Sequence, residues 1–172
     1  SQLVELVSDE SIIEEFAQIA VPSFADWCTV DMLEKGGHCR RLALVHTDST
    51  QVKLAEQLNR LYPPSLDENQ ILWKVLRTGA SQLLERIHDN NRIAEAQDDE
   101  RLLRLREVGI RSCICVPLVS RGEMLGAITF AMAESGRHMS KVDLQAAEDV
   151  AHRFIVALEN THLYQQLRDC LL

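Results

Sequence analysis

The feature that most constrains the fold is an apolar stretch at residues 108–133. Two runs rich in Ile and Val, Ile110–Val119 and Met124–Met132, lie on either side of the turn residues Arg121 and Gly122. Short runs bounded by Gly and polar residues are typical of strands. Because these runs are apolar at nearly every position, we predict an antiparallel hairpin inside a sheet that is covered on both faces.

Two residues within this hairpin need special surroundings. Pro117 cannot donate a hydrogen bond, so it should lie at a bulge or at a position without a partner strand. Gly126 lies within a strand that should be buried, where a missing side chain weakens the ladder. We therefore expect a neighbouring segment of backbone to approach Gly126 closely.

The remaining segments alternate between helical and strand patterns. A second hairpin is predicted from Trp27–Leu33 and Arg41–Thr47, which flank a Gly-Gly turn. Helical spacing predicts helices at Ser11–Ala20, Asp48–Tyr62, Asp67–Leu76, Asp99–Val108 and from Ser140 to the end. The pairs Ser11–Glu14 and Ser140–Asp143 resemble capping boxes at the starts of the first and last of these helices. A weaker strand pattern covers Ser81–Ile87. The order lacks strand–helix–strand repeats, so we predict an α+β sandwich with a mostly antiparallel sheet and helices on both sides.

Bulk properties exclude several classes of protein. A chain of 172 residues suggests one domain, and its net charge of −8 disfavours a nucleic-acid interface. No apolar run approaches the ~20 residues of a membrane span. The five cysteines are odd in number and lack Cys-x-x-Cys, which favours free thiols and a cytoplasmic location. The chain starts with Ser and an apolar helical pattern, so we expect it to be part of a longer protein.

Several short motifs together carry a family resemblance: Ala20–Trp27, Leu76–Gly79, Gly109–Ser112 leading into Val116–Leu118, Gly126–Phe130, and Ala157–Asn160 with Leu163–Tyr164. In these stretches the chain resembles the GAF domains of bacterial sensor histidine kinases and GAF-containing phosphatases. The resemblance implies a GAF domain at residues 10–160, preceded by the tail of a linker helix at 1–9 and followed by the start of a signalling helix at 161–172. It also implies a five- or six-stranded antiparallel sheet, a small-molecule pocket between sheet and middle helices, and a non-catalytic, regulatory role.

The predicted pocket combines strand residues with residues of the covering helices: Cys28, Val30, Leu44, His46, Trp73, Leu76, Leu103, Cys113 and Cys115. Trp73 either stacks on a flat ligand or serves as a core aromatic residue. Cys113 and Cys115 share one strand face, where they either form a sensing pair or pack as small apolar side chains. They lie too far apart for an unstrained disulfide. The six histidines do not show metal-ligand spacing, so no metal site is expected.

The sequence departs from the better-known ligand classes of the resembling family. Lys141 and Asp143 lack the flanking Asn and Phe of cyclic-nucleotide-binding GAF domains. The segment between Arg40 and Ser112 contains no cysteine that would attach a bilin covalently. Neither ligand is therefore expected, and the identity of the ligand stays open.

The ends of the chain suggest an assembly. Apolar residues at helical spacing occur at both termini, namely Leu3, Leu6, Leu158, Leu163, Leu167 and Leu171. We expect these residues to form a homodimer that passes a signal to a kinase or phosphatase domain in the same chain. Three hypotheses follow: a sensor that binds a small molecule, a module that only dimerises, and a redox enzyme that uses its cysteines.

Overall fold

The computed structural model describes residues 10–21, 23–61, 71–86 and 109–171. Its helices and strands are α1 (Glu10–Ala20), β1 (Trp27–Leu33), β2 (Cys39–Val45), α2 (Ser49–Leu61), α3 (Ile71–Thr78), β3 (Gln82–Leu84), β4 (Ser112–Ser120), β5 (Glu123–Met132) and α4 (Lys141–Leu171). Five strands form one sheet in the order β2-β1-β5-β4-β3, and every neighbouring pair is antiparallel. The α+β prediction is confirmed. The helix predicted at Asp99–Val108 lies outside the described residues.

Both predicted hairpins are present. In the β4–β5 hairpin, Arg121 and Gly122 have φ values of 53° and 78°. Positive φ at both central residues is the geometry of the type I′ turn, whose twist matches that of paired strands. In the β1–β2 hairpin, the register shifts between Val30 and Asp31, which marks a β-bulge.

The structure explains the two unusual residues of the β4–β5 hairpin. A Cβ atom on Gly126 would lie 2.1 Å from the carbonyl oxygen of Asp31 in β1, so the predicted close approach of backbone is confirmed. Pro117 lies beyond the part of β4 that β3 covers, since β3 pairs only with Cys113–Cys115. One side of β4 therefore has no partner strand at Pro117, where a missing donor costs little.

Helices α1 and α4 cover one side of the sheet, which we name the filled face. Its core contains Cys28 and Val30 from β1, Phe130 from β5 and Phe154 from α4, each at most 1% exposed. Phe154 also packs edge-on against Phe16 of α1, with ring centroids 5.1 Å apart. The void at this interface measures only about 10 Å³, so side chains occupy nearly all of the space.

Capping residues define where α2 and α4 begin. The Asp48 carboxylate accepts a hydrogen bond from the backbone N–H of Thr50 (2.9 Å), which caps α2. The Asp143 carboxylate accepts from the backbone N–H (2.8 Å) and hydroxyl (3.0 Å) of Ser140, as the predicted Ser140–Asp143 pair requires. The first helix begins at Glu10, one residue before the cap expected at Ser11.

The long helix α4 has an inner half and an outer half. Leu158 is 2% exposed and belongs to the core of its own domain, whereas Leu167 is 62% exposed. At 31 residues the helix is about 47 Å long, which exceeds the length of the sheet that it covers. Its last turns therefore extend beyond the domain core.

Candidate functional site

The second side of the sheet, covered by α2 and α3, is named the open face. Strand registers arrange its side chains in rows that run across the sheet. The central row consists of Leu44, Thr29, Thr129, Cys115 and Gln82. On one side of it lies a row with Trp27, Ala131, Cys113 and Leu84, and on the other side a row with Arg41, Asp31, Ala127 and Pro117.

The central row is accessible although it crosses the middle of the sheet. Thr29 and Thr129 are partly exposed, whereas the neighbouring Trp27, Asp31 and Ala127 are each at most 3% exposed. The apolar side chains of this face form two clusters, one around Trp73 of α3 and one around Trp27, and Ile71 packs against both. Thr29 and Thr129 belong to neither cluster and are partly accessible, although β1 and β5 are inner strands of the sheet.

A cavity of about 480 Å³ lies at the edge of β2, between α1 and α2, and meets the central row at Leu44. It is lined by Glu14, Arg41, Leu42, Ala43, Leu44, Glu56 and Arg60. Leu44 belongs both to this lining and to the central row, where it lies opposite Thr29. The volume lies within the range of small-molecule sites, so the cavity and the central row together form our candidate site.

A buried ion pair closes one end of the central row. Asp31 is 2% exposed, and its carboxylate accepts hydrogen bonds from Nε (3.0 Å) and an outer nitrogen (3.5 Å) of Arg41. Such a two-point contact satisfies both charges in a place from which water is largely excluded. This end of the site is therefore polar but locally neutral.

An aromatic pair closes the other end. The rings of Trp27 and His46 lie 4.4 Å apart at an angle of 44°. Nδ1 of His46 accepts a hydrogen bond from the backbone N–H of Asp48 (2.9 Å), so the ring hydrogen lies on Nε2. Nε2 in turn donates to the Glu134 carboxylate. Glu134 follows β5, so this contact connects the open face with the loop that leads to α4.

A second contact fastens the same loop, residues 133–140, which we name the anchor loop. The Asp26 carboxylate accepts hydrogen bonds from the backbone N–H groups of Ala133 (2.7 Å) and Ser135 (3.2 Å), from the Ser135 hydroxyl, and from Arg137 (3.1 Å). Burial opposes the charged form of Asp26, but these hydrogen bonds outweigh it and hold the pKa of Asp26 below its usual value.

The Ser112 hydroxyl provides a third contact to the anchor loop. It donates to the carbonyl oxygen of Leu84 in β3 (3.1 Å) and accepts from the backbone N–H of Met139 (2.8 Å). Ser112 is fully buried. The start of α4 is thus connected through side chains to β1, to the end of β2 and to the β3–β4 pair.

Three of the five cysteines are poor nucleophiles in this arrangement. Burial raises the pKa of Cys28, Cys39 and Cys115 to about 12, and the nearby charge of Asp31 adds to the shift in each case. A hydrogen bond from the Thr129 hydroxyl to Cys115 (3.4 Å) opposes this shift only in part. These thiols remain protonated at neutral pH, which disfavours thiolate chemistry on them.

The structure brings some of the predicted pocket residues together and separates others. Six of them belong to the open face or its border, namely Leu44, His46, Trp73, Leu76, Cys113 and Cys115. Cys28 and Val30 instead lie in the core of the filled face, where almost no space remains. Cys28 and Val30 face away from the other six, because alternation along β1 turns Trp27, Thr29 and Asp31 toward α2 and α3. Leu103 lies outside the described residues.

Sequence reasoning missed the polar residues of the open face. Thr29 and Asp31 alternate with apolar neighbours in β1, and this alternation is a sign that one face of the strand is partly wet. Thr129 interrupts an otherwise apolar β5 in the same way. Pairing across strands puts the two threonines side by side, which no single strand pattern reveals.

Comparisons with known proteins agree with this architecture. The fold resembles the structure of a GAF domain/HD domain protein from Geobacter sulfurreducens (15% identity, TM-score 0.67, covering 95% of this chain and 99% of that chain). It also resembles the blue-light-absorbing form of the PixJ GAF domain from Thermosynechococcus elongatus (16% identity, TM-score 0.63, covering 97% and 94%) and the second GAF domain of DevS from Mycobacterium smegmatis (12% identity, TM-score 0.61, covering 91% and 97%).

At these identities the structural likeness concerns the fold, and no curated protein matches the sequence. No helix in the described part of the chain has the length and apolar character needed to cross a membrane. Residues 10–158 match the sequence profile of the GAF domain. The match spans most of the chain, which therefore belongs to the GAF domain family.

Proposed function

We propose that this GAF domain is a cytoplasmic sensory module that binds a small molecule over the central row and relays the bound state to an output domain. The partial exposure of Thr29 and Thr129, in the middle of the sheet, is the observation that carries this proposal. In a layer that serves only as a core, packed side chains would cover these threonines, since leaving polar residues exposed in the middle of a sheet lowers the area that can be buried. The adjoining cavity of about 480 Å³ supplies the volume a small molecule needs.

The three contacts of the anchor loop support a relay to α4. Trp27 borders the central row and stacks on His46, which is hydrogen-bonded to Glu134. A ligand that shifts Trp27 would therefore pull on the anchor loop directly before α4 begins at Lys141. Small displacements of a packed helix are a common means of passing a signal between domains.

The outer surface of α4 supports a homodimer as the form that transmits the signal. Val142 (78% exposed), Val156 (39%) and Cys170 are spaced two heptads apart, so they lie along one stripe of a two-stranded coiled coil. Leu167, 62% exposed, lies beside this stripe. Leu158 is taken up by the core of its own domain, so the proposed interface leaves it out.

The other residues expected in the dimer remain proposals. Leu3 and Leu6 lie outside the described residues, as do the side chains of Leu163 and Leu171. A parallel pair of α4 helices would bring the two chain ends together. A kinase or phosphatase domain continuing the same chain is the output that we propose.

The ligand proposal is tested by thermal-shift measurements with a metabolite library, followed by fluorescence titration of each hit. The two tryptophans of the chain, Trp27 and Trp73, both lie on the open face, so their fluorescence reports on the site. We expect Thr29→Val with Thr129→Val to weaken binding of a hit roughly 5- to 10-fold by removing two hydroxyls. The exposed Thr50→Val is the matched control and should bind normally. A library without hits favours the module that only dimerises.

The assembly is tested through Cys170, the exposed cysteine of the five. In a parallel dimer the two Cys170 side chains should meet, so mild oxidation should produce a disulfide-linked dimer that Cys170→Ser abolishes. Sedimentation of the reduced protein should show a dimer, and Leu163→Glu with Leu167→Glu should convert it into a folded monomer. A reduced wild-type protein that stays monomeric at high micromolar concentration contradicts the dimer.

A further inference from the structure

The two tryptophans share an unusual property. Trp27 is 3% exposed and Trp73 is 1% exposed. The Nε1 atom of each is closed to solvent, and no acceptor among the described residues lies within hydrogen-bonding distance. The indole N–H is a donor only, and a buried one normally finds a partner.

Among the described residues, both buried side-chain groups without a hydrogen-bond partner belong to the candidate site. Other buried polar side chains in the described ranges have partners, including Asp26, Asp31, Ser112 and Ser120. Both unpaired donors instead flank the central row. Trp27 lies two residues before Thr29 on the same strand face, and Trp73 packs in a cluster with Cys115, which lies opposite Thr129.

The groups that surround the central row define what could pair with these donors. The Asp31 carboxylate is engaged by Arg41, so it supplies neither a free acceptor nor a net charge. The Thr129 hydroxyl donates to Cys115. The apolar surface comes from Leu44, Ala131 and the two indole rings themselves. The central row thus offers unused donors and flat apolar walls and consists of uncharged side chains, whereas Glu14, Glu56 and Arg60 line the adjoining cavity at the edge of β2.

We propose that the ligand of this site is a planar, uncharged molecule whose carbonyl or ring-nitrogen acceptors take the two indole hydrogens. This inference rests on the proposed sensory function and specifies the class of ligand. Because the indole nitrogens are closed to water in the free domain, binding includes a rotation of the rings toward the central row. No water has to be displaced from either N–H, so each new hydrogen bond adds to affinity and selects against ligands without acceptors.

The test compares coumarin with naphthalene, two planar bicyclic molecules of similar size. Coumarin carries acceptors and no donor, whereas naphthalene carries neither. In a ¹⁵N–¹H correlation spectrum the chain should show two indole cross-peaks. We expect coumarin to move both peaks downfield and to bind about 3- to 10-fold more tightly than naphthalene. The planar anion 2-naphthoate should bind more weakly than coumarin.

Two variants separate this inference from the broader proposal. Trp27→Phe and Trp73→Phe each keep an aromatic ring and remove one donor. Each should weaken coumarin binding about 3-fold or more beyond its effect on naphthalene binding, which reports the loss of ring area alone. Equal affinity for the two probes, or binding without movement of the indole peaks, overturns the inference although the site still binds small molecules. If no probe binds, the inference is also overturned. The proposed sensory function is then tested separately, by the screen of the metabolite library.

Discussion

The two faces of the sheet are built from the same five strands but differ in almost every physical property. The filled face is largely apolar, with one hydrogen bond from the buried Ser120 hydroxyl to Glu159 of α4, and contains a void of only about 10 Å³. The open face carries a buried ion pair, two partly exposed threonines and two unpaired indole donors, beside a cavity of about 480 Å³. One layer supplies stability through close packing, and the other is less closely packed, as the proposed ligand site requires.

The largest expected effect comes from the centre of the filled face. Phe154→Ala removes a fully buried ring that contacts Phe16 and the sheet. Because the surrounding side chains can collapse only partly, we expect a loss of about 3–5 kcal/mol in the free energy of unfolding. Denaturant unfolding measures it. A loss below about 1 kcal/mol would show that this face is not the stabilising layer.

The second largest effect is expected at Gly126, where β5 lies close to the backbone of β1. Gly126→Ala places a Cβ atom against the Asp31 carbonyl, and we expect a cost of about 1–3 kcal/mol from the shift that β1 must make. Gly126→Val should cost at least as much. If Gly126→Val is destabilised and Gly126→Ala is not, the size of the Val side chain causes the loss of stability, and the close approach of the β1 backbone does not.

The third effect concerns the anchor loop at the end of the open face. The pKa of Asp26 is lower in the folded state than in the unfolded chain, so the charged form stabilises the fold at neutral pH. This contribution is lost as the pH falls through the unfolded value of about 4 toward the folded value. We expect Asp26→Asn to lose about 1–2 kcal/mol at pH 7.

Chemical unfolding at pH 7 and pH 3 measures the loss at each pH. The difference between wild type and Asp26→Asn should shrink at pH 3. A difference that is the same at both pH values would show that the charge of Asp26 does not fasten the loop.

The smallest effect is expected on the open face. Trp73→Phe loses apolar area but also removes an unpaired buried N–H, so the two changes oppose each other. We expect the free energy of unfolding to change by less than about 1 kcal/mol. Phe130→Leu on the filled face, a comparable trimming of a buried ring, should cost about 1–2 kcal/mol. Thermal and chemical unfolding of the Trp73→Phe and Phe130→Leu variants would measure the two losses of stability. Equal losses would contradict the expected difference between the two faces.

Much of the fold could be predicted from the sequence alone, because it depends on interactions between residues that are close in the chain. The Arg121-Gly122 turn, the Ser140–Asp143 cap and the close approach at Gly126 each depend on neighbouring residues or on one residue type. Such short-range features can be recognised before any packing is known. They supported the prediction of the β4–β5 hairpin and of the start of the long terminal helix, whereas the family was recognised from several short motifs along the chain.

Only the tertiary structure decided which residues form the site. A period of two divides a strand into two sets without saying which helices cover each set, so the pattern alone could not show that Cys28 and Val30 lie on the filled face. The contact between His46 and Glu134 joins residues 88 positions apart, and the pair of Thr29 and Thr129 depends on strand register. These arrangements follow from how the layers pack around the sheet, and that packing is a property of the whole chain.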